Sequence, residues 1–317
     1  MPEAATRPPS VLSIQSHVVH GYVGNKCAVL PLNLLGFEVD PINSVQFSNH
    51  TGYPTKSGTV GTGKDLWDLV TGLQENQLLN YTHLLTGYIG SETLLETIAK
   101  TIKAIREVNP DATYVCDPVM GDSALGEDGR MYVSKGLLGV YRDLIIPLAT
   151  VITPNQYEAE LLSGRTIKTQ KDAVEVCRDL RQRGPTTVVI TSLHLESDPN
   201  TLIILATTSH EQETGSSQEL RLVLPRKKAY FTGTGDLLSA LLLAWLHKHP
   251  SNLKLAVELA IAGLQAVLGR TIAAAGDAVT ATELSSEVMR ARELRLVESL
   301  HLLPKPDVQY HAEPADG

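Results

Sequence analysis

Phe231-Thr232-Gly233-Thr234-Gly235-Asp236 runs straight into the apolar segment Leu237-Leu-Ser-Ala-Leu-Leu-Leu-Ala-Trp245, and the reading of this stretch decides the fold. A glycine-bracketed turn that opens a buried helix leaves the first four backbone N–H groups without intrahelical partners. With the positive end of the helix dipole, those donors make a site for an anion. Gly233 and Gly235 lack the Cβ atoms that would hold a phosphate oxygen away from the backbone. Asp236 has the wrong sign for binding a phosphate. It makes sense there as a base that takes a proton from an attacking hydroxyl, or more plainly as a helix cap. The rest of the chain has to choose between the two.

Outward from that turn, strand-like and helical patterns alternate. Strands are expected at 11–16, 83–88, 113–117, 150–153, 187–192 and 201–207, with helices at 64–74, 91–108, 134–146, 155–163 and 170–183. Gly21-Tyr-Val-Gly24 leads into a helix through Leu35 that contains Pro31. Residues 37–47 read as a strand pair, 48–63 as a polar loop rich in Gly, Ser and Thr, and 219–230 as one or two strands. Helices near 252–274 and 282–299 close the chain. This alternation implies an α/β fold: a mostly parallel central sheet with helices on both faces, and ligands at the carboxyl ends of the strands. No linker-like shift or internal repeat interrupts it. Residues 1–10 read as a disordered lead, 11–303 as one domain and 304–317 as a polar tail with three prolines.

Composition narrows the function. The chain has 317 residues, of which 43% are hydrophobic and 20% charged, enough for a full core. Its 27 basic and 35 acidic residues give a net charge of −8 with no basic block, so the electrostatic footprint of a nucleic-acid binder is missing. An anionic substrate must be held by local donors, because exposed charges are screened beyond about 8 Å at physiological salt. The three cysteines, Cys27, Cys116 and Cys177, form no CxxC and fit reduced thiols in a cytoplasmic setting. Asn49-His-Thr51 and Asn80-Tyr-Thr82 match the glycosylation pattern but follow no signal peptide, and no stretch approaches 18 apolar residues. A membrane role is not expected.

Several strand ends carry polar groups. Strand 113–117 ends in Asp117-Pro-Val-Met-Gly-Asp122, two carboxylates around a turn. Strand 150–153 ends in Thr153-Pro154-Asn155-Gln-Tyr-Glu158, where Asn155 and Glu158 share a helix face at i,i+3. Strand 187–192 ends in Thr191-Ser192. Hard oxygen ligands beside phosphates suit Mg²⁺, which keeps several of its waters. Each group taken alone is an ordinary turn or capping box; their coincidence with the Gly-Thr-Gly-Asp turn favours a phosphate site. Gly58-Thr-Val-Gly-Thr-Gly63-Lys64-Asp65 is a decoy: the residue that would bind Mg²⁺ in a P-loop is Asp65, and no buried strand is expected before it. A Rossmann glycine pattern is absent, and His17, His50 and His83 lack metal-ligand spacing. The helix over 239–247 reads as core.

In sequence order, Ser13-Ile-Gln-Ser16-His17, Gly21-Tyr-Val-Gly-Asn25, Ser44-Val-Gln-Phe47-Ser-Asn-His-Thr51-Gly-Tyr53, Leu85-Thr-Gly-Tyr88, Cys116-Asp117-Pro-Val, Thr153-Pro-Asn155-Gln-Tyr-Glu158 and Gly233-Thr-Gly-Asp236 resemble the motifs of pyridoxal kinases. That family belongs to the ribokinase-like group, and the likeness runs from about 10 to 300. The resemblance implies a ribokinase-like three-layer sandwich and ATP-dependent phosphorylation of the 5′-hydroxymethyl group of pyridoxal, pyridoxine and pyridoxamine. It also implies a homodimer, Mg²⁺ or another divalent ion with ATP, a monovalent cation such as K⁺, and a loop that closes over the site.

Carried over, Asp236 resembles the catalytic base, and Thr232, Gly233, Thr234 and Gly235 the phosphate-binding turn. Ser16, Val23, Phe47, Thr51 and Tyr88 look like the vitamer pocket. Asp117, Thr153, Glu158 and Thr191 resemble the cation and phosphate cluster, with Asp122, Tyr132, Asn155 and Ser192 on the nucleotide side. The alignment is loosest at 122–130 and 208–218. A hydroxymethylpyrimidine kinase of the same fold is the nearer rival, although such kinases show a Gly/Ser-rich first turn unlike Ser16-His-Val-Val-His-Gly-Tyr-Val-Gly24. A catalytically silent vitamer-binding protein is the farther one.

Overall fold

The structure, a computed structural model, describes residues 7–122, 130–131, 133–195, 197–211, 218–227, 229–282 and 285–315. Its strands are β1 (Ser10–Val18), β2 (Glu38–Phe47), β3 (Gly58–Val60), β4 (His83–Thr86), β5 (Thr113–Cys116), β6 (Gly121–Asp122), β7 (Arg130–Met131), β8 (Val151–Ile152), β9 (Thr187–Leu193), β10 (Thr201–Thr208), β11 (Glu219–Pro225) and β12 (Glu313–Pro314). Ten of them form one sheet in the order β12-β11-β10-β9-β8-β5-β4-β1-β2-β3, and β6 and β7 form a separate ribbon. The run from β2 through β1, β4, β5 and β8 to β9 is parallel. Antiparallel strands finish both ends.

The helices are α1 (Asn25–Leu34), α2 (Gly63–Glu75), α3 (Glu92–Val108), α4 (Lys135–Val140), α5 (Gln156–Ser163), α6 (Gln170–Arg181), α7 (Thr234–Lys248), α8 (Leu253–Ala275), α9 (Ser286–Ala291) and α10 (Leu296–Ser299). Strands sandwiched between helices bury alternate residues in two different cores. Leu12, Ile14, Leu84, Val188 and Ile190 join one hydrophobic cluster, with residues of α2, α3, α5 and α6. Their neighbours Val11, Leu85 and Val189 join the other, with residues of α1, α7 and α8. The three-layer expectation holds. Over Leu253–Val279 the chain is long and apolar enough to cross a membrane by length and composition, but 61% of its apolar 18-residue window is buried inside the fold.

Four local expectations need correction. The strand pair expected over 37–47 is the single strand β2 (Glu38–Phe47), which tolerates Pro41 because that stretch pairs with β1 alone and leaves its other edge open. The 48–63 loop contains β3, an exposed edge strand paired with Val45–Phe47, whereas the single strand over 219–225 is one of the two outcomes expected there. The helix expected over 134–146 tightens and loosens by turns. After α4 it becomes a π-helix over Tyr141–Ile145 and a 3-10 turn containing Pro147. The helix expected over 282–299 breaks after α9, where the Arg292 guanidinium turns back to the carbonyls of Ala278, Val279 and Ala281.

The ends of the domain also differ in character. Residues 1–6 and 316–317 lie outside the described residues. The C-terminal stretch is docked rather than trailing: Leu303 and Ala312 are buried, Ala312 N donates to Glu258 Oε1 at 2.8 Å, and β12 pairs with β11.

Candidate active site

β1 lies between β4 and β2, so the strand order reverses beside it, and a crevice opens where the carboxyl ends diverge. Three turns meet there: 21–24 after β1, Gly87 after β4, and 231–236 before α7. Gly233 (φ 87°) and Gly24 (φ 52°) occupy backbone regions that L side chains avoid. A Cβ on Gly233 would overlap the Tyr22 carbonyl oxygen, and one on Gly24 the Ser16 carbonyl oxygen. Gly233 therefore lets the phosphate-type turn press directly against the first turn, and Gly24 lets the first turn fold back onto β1.

At α7 the residue preceding the helix is Gly233, and no side chain caps the first turn. The Asp236 carboxylate instead accepts the N–H of Gly24, across the crevice. A Cβ on Gly87 would stand 3.3 Å from Asp236 Oδ1 and 2.7 Å from Gln15 Oε1, which sets this carboxylate at the switch point. Asp236 is thus not the cap of its own helix. Burial pushes its carboxyl above the ordinary range, against the pull of the Gly24 N–H. The residue as a whole is half-buried.

Behind it lies a cluster of hard oxygen atoms. Asp117, just past β5 and 5% exposed, lies against the hydroxyls of Ser239 and Thr153, which are 3.0 Å apart, and Ser239 Oγ donates to Gly235 O at 2.9 Å. Its carboxyl is raised by burial first, then by the charges of Glu158 and Asp236. Glu158 Oε1 accepts Met120 N (2.8 Å) and Gly121 N (3.4 Å), and Oε2 accepts Asn155 N (2.9 Å). Asn155 Oδ1 accepts Glu158 N at 2.9 Å, while its Nδ2 donates to Gly121 O at 2.7 Å. The pair forms a reciprocal cap on α5 and pins the turn after Asp117. Burial pushes Glu158 up to about 7, although three backbone donors favour its charge.

Among the described residues, none of these three carboxylates has a lysine or arginine partner. Nor do three His, Cys, Asp or Glu side chains converge to hold a metal by themselves. Buried carboxylates of this kind, with hydroxyls between them, suit a hard cation that takes its remaining ligands from phosphates and water.

The other described residues singled out by sequence lie near or just past the carboxyl ends of strands or in the turn before α7. Thr191 N and Oγ1 both bond to Pro154 O (2.9 and 3.4 Å), tying β9 to the 153–155 turn, and Ser192 follows it. Asp122 ends β6, opposite Arg130 of β7, and its charge helps raise Glu158. Thr232 lies half-buried before Gly233. Tyr132 lies outside the described residues. On the opposite side of Asp236, Ser16 and Val23 are buried, Phe47 and Tyr88 are half-buried, and Thr51 is exposed. The β1–β2 register pairs Ser16 with Val45 and Val18 with Phe47, and Ser44 Oγ donates to Tyr88 O at 2.8 Å. Lys56 Nζ lies 5.3 Å from the centre of the Phe47 ring.

Two contributors escape the sequence reading. Ser239 looks like part of an apolar helix, yet its hydroxyl meets Asp117; its spacing of three from Asp236, on nearly the same face of α7, is the available signal. Glu293 reaches the first turn from the far end of the chain, donated to by Tyr22 N at 3.0 Å, and nothing in the local sequence marks it.

Comparison with known proteins follows this geometry. A family model described as phosphomethylpyrimidine kinase matches residues 79–281. The chain is 50% identical over 307 residues to a pyridoxal kinase of Arabidopsis thaliana, covering 96% of this chain and 94% of that one. It is 46% identical over 310 residues to a pyridoxal kinase of Homo sapiens, covering 95% and 97%. The solved structure of a pyridoxal kinase from Leishmania donovani in complex with ADP and pyridoxamine superposes with a TM-score of 0.84 at 36% identity, covering 96% of this chain and 99% of that one.

Proposed function

The chain belongs to the pyridoxal kinase family, and from that premise we propose how its residues divide the work of an ATP-dependent phosphotransferase. The reaction moves the γ-phosphoryl group of ATP to the 5′-hydroxymethyl oxygen of pyridoxal, pyridoxine or pyridoxamine. One observation carries the division: an uncapped helix N-terminus with a carboxylate beside it that caps nothing and faces the crevice. Asp236 accepts the hydroxyl proton as the oxygen attacks phosphorus. The backbone amides that follow Gly233 receive charge building on the transferring group. A raised carboxyl suits the task, since a base closer to working pH takes a proton more readily.

Thr232 to Gly235, Thr191, Ser192, Asn155, Asp122 and Tyr132 are assigned to the nucleotide. Asp117, Thr153, Glu158 and Thr191 are assigned to the cations, Mg²⁺ or another divalent ion and a monovalent ion such as K⁺. The divalent ion, when bound, neutralises the phosphate oxygens. Asn155 and Glu158 act there by holding the 120–121 turn and α5 in place. Ser16 and Thr51 supply hydrogen bonds to the vitamer, and Val23, Phe47 and Tyr88 the walls around a flat ring. The 48–63 segment excludes water, which would otherwise compete as acceptor. A homodimer and a cytoplasmic setting complete the reading; the three buried free thiols favour a reducing compartment.

The match to the phosphomethylpyrimidine kinase model favours a second reading, a pyrimidine acceptor. Near-full-length identity of 46–50% to pyridoxal kinases outweighs it. The test is ADP release with each of the three vitamers, with the product identified by mass. The reading expects vitamer 5′-phosphate in step with ADP. ADP release that no vitamer stimulates would remove it.

A further inference from the structure

Glu293, in the turn between α9 and α10, joins two segments that are remote from it in sequence. Its Oε2 accepts Tyr22 N at 3.0 Å, and its Oε1 accepts the Tyr53 hydroxyl at 3.0 Å and faces His50 Nε2 at 3.2 Å. Gly52 N donates to His50 Nδ1 at 3.1 Å. That nitrogen is therefore the acceptor of a neutral ring, and the proton on Nε2 is the one given to Glu293. One carboxylate thus takes three donors: one from the turn after β1 and two from the loop after β2. A side chain on Gly21 would collide with this carboxylate. Both side chains of the contact are largely buried, His50 at 5% and Glu293 at 10% exposed. Burial works against the charge, yet the three donors hold the Glu293 carboxyl below its usual range.

The two segments joined are those that carry Val23 on one side and Thr51 on the other. Val23 follows Tyr22 directly, and Thr51 lies between His50 and Tyr53. Other ties hold the same loop: Val19 N to Phe47 O and His20 N to Ser48 O (both 2.9 Å) at its base, the Tyr53 ring edge-on to His20 with centroids 6.2 Å apart, and Lys56 over Phe47. We propose that Glu293 is a positioning residue for the acceptor pocket, a carboxylate staple that fixes the 50–53 loop against the 21–23 turn and so sets Thr51 and Val23 around the bound ring. The proposal rests on the acceptor site assigned above. It makes acceptor binding depend on a residue that does not itself touch acceptor, nucleotide or phosphate.

The test uses the full chain in two variants, Glu293→Gln and the milder Tyr53→Phe, which deletes one donor and keeps the ring. Steady-state kinetics give KM for pyridoxal and for ATP separately, and hydrogen exchange reads residues 48–57 without any acceptor. Glu293→Gln is expected to raise the pyridoxal KM about tenfold, and Tyr53→Phe about threefold, with the ATP KM unchanged. The double variant should be no worse than Glu293→Gln alone, because both act through one staple. Exchange in 48–57 should quicken in both variants, while α7 stays protected. Pyridoxal and ATP KM values that rise together, or a pyridoxal KM and loop exchange that stay as in the wild type, would overturn the proposal. Failure of the functional reading looks different: the wild-type protein itself would then fail to phosphorylate pyridoxal.

Discussion

The two sides of Asp236 are built in opposite ways. On the side assigned to the nucleotide, Asp117, Thr153, Glu158 and Ser239 are buried, and hydrogen bonds between strand ends and helix starts hold them, Thr153 to Ser239 and Glu158 to Met120 and Asn155. On the acceptor side, Thr51 is exposed, Phe47 and Tyr88 are half-buried, and the loop is fastened by a side chain 240 residues further along the chain. The phosphomethylpyrimidine kinase model spans 79–281, which takes in the first side and excludes Ser16, Val23, Phe47, Thr51 and Glu293. On the roles proposed above, the residues assigned to the phosphates fall inside the matched stretch, and those assigned to the acceptor fall outside it except for Tyr88.

The comparison breaks most sharply at Asp236, which belongs to both sides. Asp236→Asn should leave ATP binding intact by titration and lower turnover about 10²- to 10⁴-fold. A variant that keeps most of its turnover would make Asp236 structural only. Because burial raises this carboxyl, and the base works only when ionised, kcat should fall as pH drops through a value above the ordinary aspartate range of about 4. An acid limb at or below that range would mean that the crevice is wetter than its geometry implies.

On the nucleotide side, replacing Asn155 and Glu158 together by alanine strips acceptors from the amides of Met120, Gly121 and Asn155. Each buried donor left unpaired costs about 1–3 kcal/mol, so Tm should fall. The Mg²⁺ concentration needed for half-maximal activity should rise, since Asp117 then stands on an unpinned turn. A Mg²⁺ titration that matches the wild type, with only Tm lowered, would confine the pair to capping.

The smallest effect is expected on the acceptor rim. Ser16→Ala removes one neutral hydrogen bond, worth about 0.5–1.5 kcal/mol, or roughly threefold to tenfold in pyridoxal affinity. The KM for ATP should stay put. An equal loss for ATP would mean that Ser16 supports the turn at Gly24 rather than the vitamer.

The same contrast explains what could be read from sequence. Asp117, Thr153 to Glu158 and Asp236 sit at strand ends or helix starts, where Pro, Gly and capping residues mark the spot within a few positions. Alternation of helix and strand gave the layers for the same local reason. Ser239 was masked by the leucines around it, and Glu293 by distance, since no periodicity links residue 293 to residues 22 and 53. The loose alternation of 37–47 does not tell one strand from two, and a strand edge forgives Pro41 where a central strand would not. Arg292, whose guanidinium ends a helix by binding carbonyls 11–14 residues back, has no local signature either.

We hold that the residues assigned to the acceptor direct this chain to vitamin B6, although residues 79–281 match a phosphomethylpyrimidine kinase model. The direct measurement is kcat/KM for pyridoxal against hydroxymethylpyrimidine at saturating MgATP. A clear preference for pyridoxal is predicted. A preference for the pyrimidine would contradict the claim, while leaving the fold and the role of Asp236 standing.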